Sequence, residues 1–211
     1  MLDWASRQVN TVAYGGEMAR KTTKTALTPE DWVKAGFRAL SVGGPQAIKV
    51  EAIAKALQMS KGSFYWHFKD VSALKADMLR HWLQVATHDI ISDVAGDEPG
   101  PKEQLRRLVD IATGKKNEPY GGTQAEAAIR DWARYDENAA VTLKTVDATR
   151  RQFLRVLFEK SGVSPALCTS YANILYAALI GLEQLSRTSV LERKNDLSTL
   201  LALLLRDAEK R

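Results

Sequence analysis

The chain has 211 residues, 45% of them apolar, a single cysteine and a formal net charge of +5. That length suits one large domain, or a small domain joined to a larger one. The lone Cys168 excludes an intramolecular disulfide and a cysteine-based zinc site, and it fits a reducing, cytoplasmic compartment.

The N-terminus lacks the continuous apolar stretch of a signal peptide, and no run approaches the roughly 18 apolar residues of a membrane span. No membrane partner is therefore expected. The charge is unevenly placed. Residues 18–70 hold nine Lys or Arg against four Asp or Glu, and the rest of the chain is neutral. A basic head on a neutral body points to a polyanionic partner for the head. A solvated basic face is the plainer alternative.

Residues 1–27 show no period and read as a flexible N-terminal extension. Met18, followed by the basic arm Arg20, Lys21 and Lys24, is a candidate start, which would make residues 1–17 an over-extended reading frame. Thr28-Pro29-Glu30-Asp31 reads as a helix start: a capping hydroxyl, a proline for the first helical position and two acids at the positive helix end. That helix runs about four turns to Gly43-Gly44-Pro45. A second spans Val50 to about Leu57, with Val50, Ile53, Ala54 and Leu57 on its inward face. Gln58-Met59-Ser60 forms a turn, and a third short helix covers Lys61 to Phe68.

A long amphipathic helix starts after Asp70, carries Leu74, Met78, Trp82, Val85, Ile90 and Val94 at helical spacing, and stops at the Gly96–Pro101 cluster. Further helices are expected over Leu105–Ile111, residues 124–135, residues 137–160, from Ser164-Pro165 to about Ser186, and from Asp196 to Arg211. There is no strand pattern and no internal repeat. The expected fold is all-α with about nine helices: a three-helix head at 28–70 and a helical body at 71–211.

Two short helices joined by about three residues have helix-turn-helix spacing. Such a motif sets its second helix in the major groove of DNA. Ser60 or Ser63 can cap or meet a phosphate, Lys61 supplies charge, and Gly62 lets the backbone approach closely. Phe64 and Phe68, four apart, are placed to anchor that helix inward.

The segment VEAIAKALQMSKGSFYWHFKDVSAL resembles the DNA-binding domain of the tetracycline-repressor (TetR) family. Ile53-Ala54, Ser60-Lys61-Gly62-Ser63, Tyr65, His67-Phe68 and Ala73-Leu74 carry the likeness. The resemblance implies a DNA-contact set of Lys49, Val50, Ser60, Lys61, Gly62, Ser63, Tyr65, Trp66, His67 and Lys69. Within it, Tyr65 and Lys69 would meet phosphates, Trp66 would face the DNA, and His67 would lie near the backbone. Three positions depart from the family pattern. Lys49 stands in place of a capping Thr, Gln58 in place of a turn glycine, and Val71 in place of a common Lys.

In the body, the resemblance implies an effector pocket and a dimer. Candidate lining residues are Trp82, Val85, His88, Ile129, Trp132, Tyr135, Phe153 and Tyr171, each also readable as plain core. Candidate dimer residues are Leu167, Ile174, Ala178, Gly181, Leu182 and Leu185 on one helix and Leu197, Leu201 and Leu204 on the last. The implied function is a ligand-responsive regulator, a repressor that binds palindromic double-stranded DNA as a homodimer and is released by an unidentified small molecule. The alternative is a sequence-tolerant architectural DNA binder with no effector. An enzyme is not expected, since no nucleophile–base constellation or phosphate-cradling glycine loop appears. Asp147–Arg151 and Asp131–Tyr135, each four apart, read as polar contacts on helix faces. His81 and His88 share a face but lack further ligands, so neither a metal nor a cofactor is expected.

Overall fold

The computed structural model describes residues 27–96, 100–114, 120, 122–185 and 189–209. The N-terminal extension and Met18 lie outside the described residues. Among the described residues there are nine α-helices and no strand.

Helix α1 (Pro29–Gly43) begins as its sequence dictates. The Thr28 hydroxyl accepts from the Asp31 N–H, and the Asp31 carboxylate accepts from the Thr28 N–H at 2.8 Å, a reciprocal capping box. Trp32, Val33, Phe37 and Leu40 form its buried stripe. A 3₁₀ turn (Pro45–Ala47) leads to α2 (Val50–Ala56) and then α3 (Lys61–Tyr65). Helix α3 is shorter than the expected Lys61–Phe68. The N–H groups of His67 and Phe68 both reach the Phe64 carbonyl, at 2.9 and 3.0 Å, so the chain tightens there and turns Phe68 back inward.

Asp70 caps α4, its carboxylate accepting from the Ala73 N–H at 2.8 Å. Helix α4 runs through three consecutive segments: Val71–Leu83, a π-helical stretch Gln84–His88, and Asp89–Gly96. Then follow α5 (Pro101–Thr113), α6 (Gly122–Trp132), α7 (Glu137–Lys160), α8 (Pro165–Gln184) and α9 (Val190–Glu209). Helix α9 starts six residues before the expected Asp196. Ser189 and Glu192 form a second capping box, with 3.1 Å from the Glu192 N–H to the Ser189 hydroxyl and 2.6 Å from the Ser189 N–H to the Glu192 carboxylate.

The apolar interior falls into two clusters. The first runs from the head through α4 into α6 and the start of α7, joining Trp32, Phe37, Phe64 and Leu74 to Ile129, Trp132 and Val146. Packing therefore continues across residue 70. Helix α1 crosses α4 closely: a Cβ on Gly36 would fall 2.6 Å from the Met78 sulfur, so a larger residue there would force the Met78 side chain to shift. The second cluster joins α5, the C-terminal half of α7, α8 and α9 around Leu105, Phe158, Cys168 and Leu197.

Candidate functional site

The head presents one basic, aromatic face. Phe64 and Phe68 are buried and stacked with ring centroids 5.5 Å apart, and Trp32 meets Phe64 edge-on at 5.5 Å. This apolar anchor leaves the remaining arc of α3 and its C-terminal turn to solvent. Trp66 is 88% exposed and Tyr65 59% exposed, with the Tyr65 ring edge resting on Phe64. Lys49, Lys61, His67 and Lys69 are exposed beside them. The Ser60 hydroxyl caps α3, accepting from the Ser63 N–H at 3.2 Å. Lys61 is ion-paired with Glu51 at 2.6 Å. At Gly62 an added Cβ would make only an ordinary 3.5 Å contact with the Ser60 hydroxyl, so nothing inside the fold requires glycine there.

Val50 is the exception in the expected contact set. Its side chain is buried in the head core, so it holds α2 in place and offers the surface no side chain.

The three family departures have distinct local consequences. Lys49 sits at the N-cap of α2 and makes no side-chain cap bond. Gln58 has φ 54°, the left-handed conformation that glycine adopts freely. It occupies the C′ position of a Schellman motif: the Met59 N–H reaches the Ala54 carbonyl at 2.9 Å, and the Gln58 N–H reaches Lys55 at 3.1 Å. Val71 packs its side chain against the head-side core.

The body encloses a cavity of about 130 Å³ between α4 to α9, an order of magnitude above the roughly 10–15 Å³ that admits one water by the same measure. Most of its wall is aliphatic, including Ile90, Ile91, Leu108, Leu179 and Ile180, with Phe153 as an aromatic panel. Its polar side is a network drawn from four helices. Arg150 on α7 donates to Glu126 at 2.9 Å, to the Thr87 hydroxyl at 3.2 Å and to the Ala86 carbonyl at 3.0 Å. Arg130 donates to Glu126 at 2.9 Å and to Asp147 at 2.8 Å. The Tyr176 hydroxyl donates to Asp147 at 2.8 Å and accepts from Arg130 at 2.9 Å. Burial pulls the Arg150 pKa down, but Glu126 and Tyr176 together outweigh it and hold the guanidinium charged. Burial pushes the Tyr176 hydroxyl up to about 12 and the Glu183 carboxyl, also on the wall, up to about 7.

Thr87 and Ala86 belong to the π-helical stretch of α4. Such a stretch shifts the backbone register and frees a carbonyl, and π-bulges cluster at functional sites. Here Arg150 grips that freed region from the cavity side.

The expected lining residues scatter. Only Phe153 lines this cavity. Trp82 and Val85 line a smaller one beside it, with Phe37, His81 and Tyr120. Ile129, Trp132 and Tyr171 are core, the last donating to Asp207. Tyr135 is 82% exposed and His88 also faces solvent. Asp147 does not pair with Arg151 through its carboxylate. It is taken by Arg130 and Tyr176, and Arg151 donates to the Asp147 carbonyl instead. Asp131 likewise turns to Arg134 at 3.9 Å, away from Tyr135. Glu126, Arg130, Arg150, Tyr176 and Glu183 were missed because they converge from separate helices with no local spacing signal. Among the described residues no group of three or more His, Cys, Asp or Glu is placed to hold a metal ion.

Helix α8 is long and apolar enough, by composition, to cross a membrane. In the fold it packs on α7 and α9 and leaves an apolar stripe uncovered. Ile174 is 47% and Leu185 59% exposed, Gly181 is exposed, and Leu167, Ala178 and Leu182 are partly so. On α9, Leu204 is partly exposed, whereas Leu197 and Leu201 are buried within the protomer itself. Those two face α5 and α8 and belong to the chain's own core.

A sequence model described as bacterial regulatory proteins, tetR family, matches residues 33–77. No curated protein matches the chain. Solved structures match its fold over most of both chains. A TetR-family transcriptional regulator from Agrobacterium tumefaciens superposes with a TM-score of 0.72 at 16% identity, covering 83% of this chain and 96% of that one. A TetR transcriptional regulator from Legionella pneumophila gives 0.65 at 15%, covering 89% and 98%. A protein from Saccharomonospora viridis, described as a transcriptional regulator in complex with choline, gives 0.71 at 15%, covering 82% and 95%.

Proposed function

We propose that the chain is a ligand-responsive repressor: residues 33–77 match the tetR-family sequence model, and most of the chain shares the all-α fold of solved TetR-family regulators. In this reading two copies bind a palindromic operator in the cytoplasm, and a small molecule in the body releases them.

One observation carries the ligand-responsive part. The cavity is walled by the same helix, α4, that packs against α1 of the head. A molecule that reshapes the cavity must act on the Arg150 contacts to Ala86 and Thr87, and so on the π-helical stretch of α4. Ligand response needs only a difference in affinity between two head spacings. The relative in complex with choline supports a small-molecule effector.

At the DNA face, Tyr65 and Lys69 meet phosphates, Ser63 and Trp66 read bases, and His67 lies along the backbone. Lys61 exchanges Glu51 for a phosphate. The exposed stripe of α8, from Ile174 through Ala178 and Gly181 to Leu185, together with Leu204, pairs with its copy across a two-fold axis. Two recognition helices roughly 34–36 Å apart then read one face of the duplex.

Selection of binding sites from random DNA by the purified chain tests the reading. A palindrome with steep salt dependence is the expected result. Steep salt dependence with no sequence preference overturns it in favour of an architectural binder, and a flat salt response overturns DNA binding by the basic head. Light scattering at micromolar concentration checks the dimer.

A further inference from the structure

We infer that the cavity takes a small organic cation, an ammonium group carried on an apolar or aromatic body, with the Glu183 carboxylate as its counter-charge. This deepens the effector-site reading and rests on it.

Arg150 on the cavity wall and its neighbour Arg130 are already matched. Arg150 is held by Glu126, and Arg130 by Glu126 and Asp147. Two cations and two carboxylates form a self-contained network, further satisfied by Tyr176 and Thr87. Glu183 stands outside it. It lines the same cavity from α8, two turns beyond Tyr176 on the same helix face. Its carboxyl makes no hydrogen bond or ion pair with any described residue.

Four charged groups act on it: Glu126 and Arg130 from α6, Arg150 from α7 and Arg193 from α9. Burial and Glu126 disfavour its charge, and the three arginines only partly offset them. A buried carboxylate without a partner is costly, and an entering cation removes that cost. A neutral ligand leaves the carboxylate unpaired, and an anion adds repulsion. The wall suits the rest of such a ligand. Leu179 and Ile180 offer aliphatic surface, and Phe153 offers an aromatic ring of the kind that attracts an ammonium.

Isothermal calorimetry on the full chain tests this with three probes of one shape: benzyltrimethylammonium, benzyl alcohol and benzoate. The quaternary probe cannot titrate, so any pH effect belongs to the protein. The cation is expected to bind roughly tenfold more tightly than the alcohol at about pH 8, with benzoate weakest. That preference should shrink towards about pH 5.5 as Glu183 takes a proton. Glu183→Gln should abolish the preference and its pH dependence while leaving benzyl alcohol unchanged. Glu183→Asp should keep both.

Benzoate as the tightest probe, a preference that survives Glu183→Gln, or no heat with any probe overturns the inference. Operator gel shifts separate it from the effector reading. A cation that binds through Glu183 yet leaves operator affinity unchanged sinks the effector reading alone. Equal binding of cation and alcohol, with operator release by both, sinks only the cation preference.

Discussion

In the head, the large side chains divide cleanly: Trp32, Phe37, Phe64 and Phe68 inside, Trp66, Lys49, Lys61, Lys69 and His67 outside. Around the cavity the division is reversed, since two guanidiniums and two carboxylates sit between apolar clusters. The head keeps its chemistry on the surface and its stability in the core. The body puts both in the same place. Changes to head chemistry should therefore leave folding intact, whereas changes to cavity chemistry should not.

The largest effects come from opposite kinds of damage. Glu126→Ala strands Arg150 and Arg130 as part-buried charges, and breaking such a network costs up to about 3–5 kcal/mol. Phe64→Ala empties the head's anchor and costs a similar ~3–5 kcal/mol by leaving a void. Chemical denaturation measures both. A loss under about 1 kcal/mol for Glu126→Ala would mean that the network is well solvated and that the comparison fails on the body's side.

Glu183 sharpens the body's half. Its folded pKa of about 7 lies above the unfolded 4.5, so the folded state holds the proton more tightly between those values. Stability is full below the lower value and falls as pH rises through the window. Glu183→Gln has no charge to lose. Its stability relative to the unsubstituted chain should therefore rise from about pH 4.5 to about pH 7, by about 1–2 kcal/mol once solvent screening is discounted. Parallel stability curves for the two proteins across that range would place the carboxyl in water.

The head was legible in the sequence because its signals are local. Thr28-Pro29-Glu30-Asp31 caps α1, Phe64 and Phe68 lie one turn apart and face inward, and Gln58 in a glycine position does take φ 54°. The start of α9 was misplaced at Asp196, because the leucine pattern begins there while the helix is capped earlier by Ser189 and Glu192. The cavity was not legible. Glu126 and Arg150 are 24 residues apart, Arg130 and Tyr176 are 46 apart, and their meeting depends on how four helices cross. Helical spacing pairs Asp147 with Arg151, but the fold brings Arg130 nearer. Helix periodicity also could not say which leucines of α9 face the chain's own core, as Leu197 and Leu201 do.

Smaller effects return to the head. Gln58→Gly removes the left-handed strain but loosens the unfolded chain, so a net gain of about 0.5–1 kcal/mol is expected. A thermal melt that moves down instead would show that the Gln58 side chain holds the turn by its own contacts.

The smallest stability effect tests the comparison most directly. Trp66 is two residues from Phe64 and larger, yet it is 88% exposed while Phe64 is fully buried. Folding gains little from a ring that stays in water, so Trp66→Ala should shift stability by less than about 0.5 kcal/mol. Lys61→Ala, Lys69→Ala and Tyr65→Phe should weaken DNA binding evenly across sequences, because phosphate contacts carry no sequence information. Trp66→Ala should instead change which sequences are preferred. Melting curves run beside site selection separate these outcomes. If Trp66→Ala destabilises the fold as Phe64→Ala does, the ring is packed in solution, and the head does not keep its binding chemistry apart from its core.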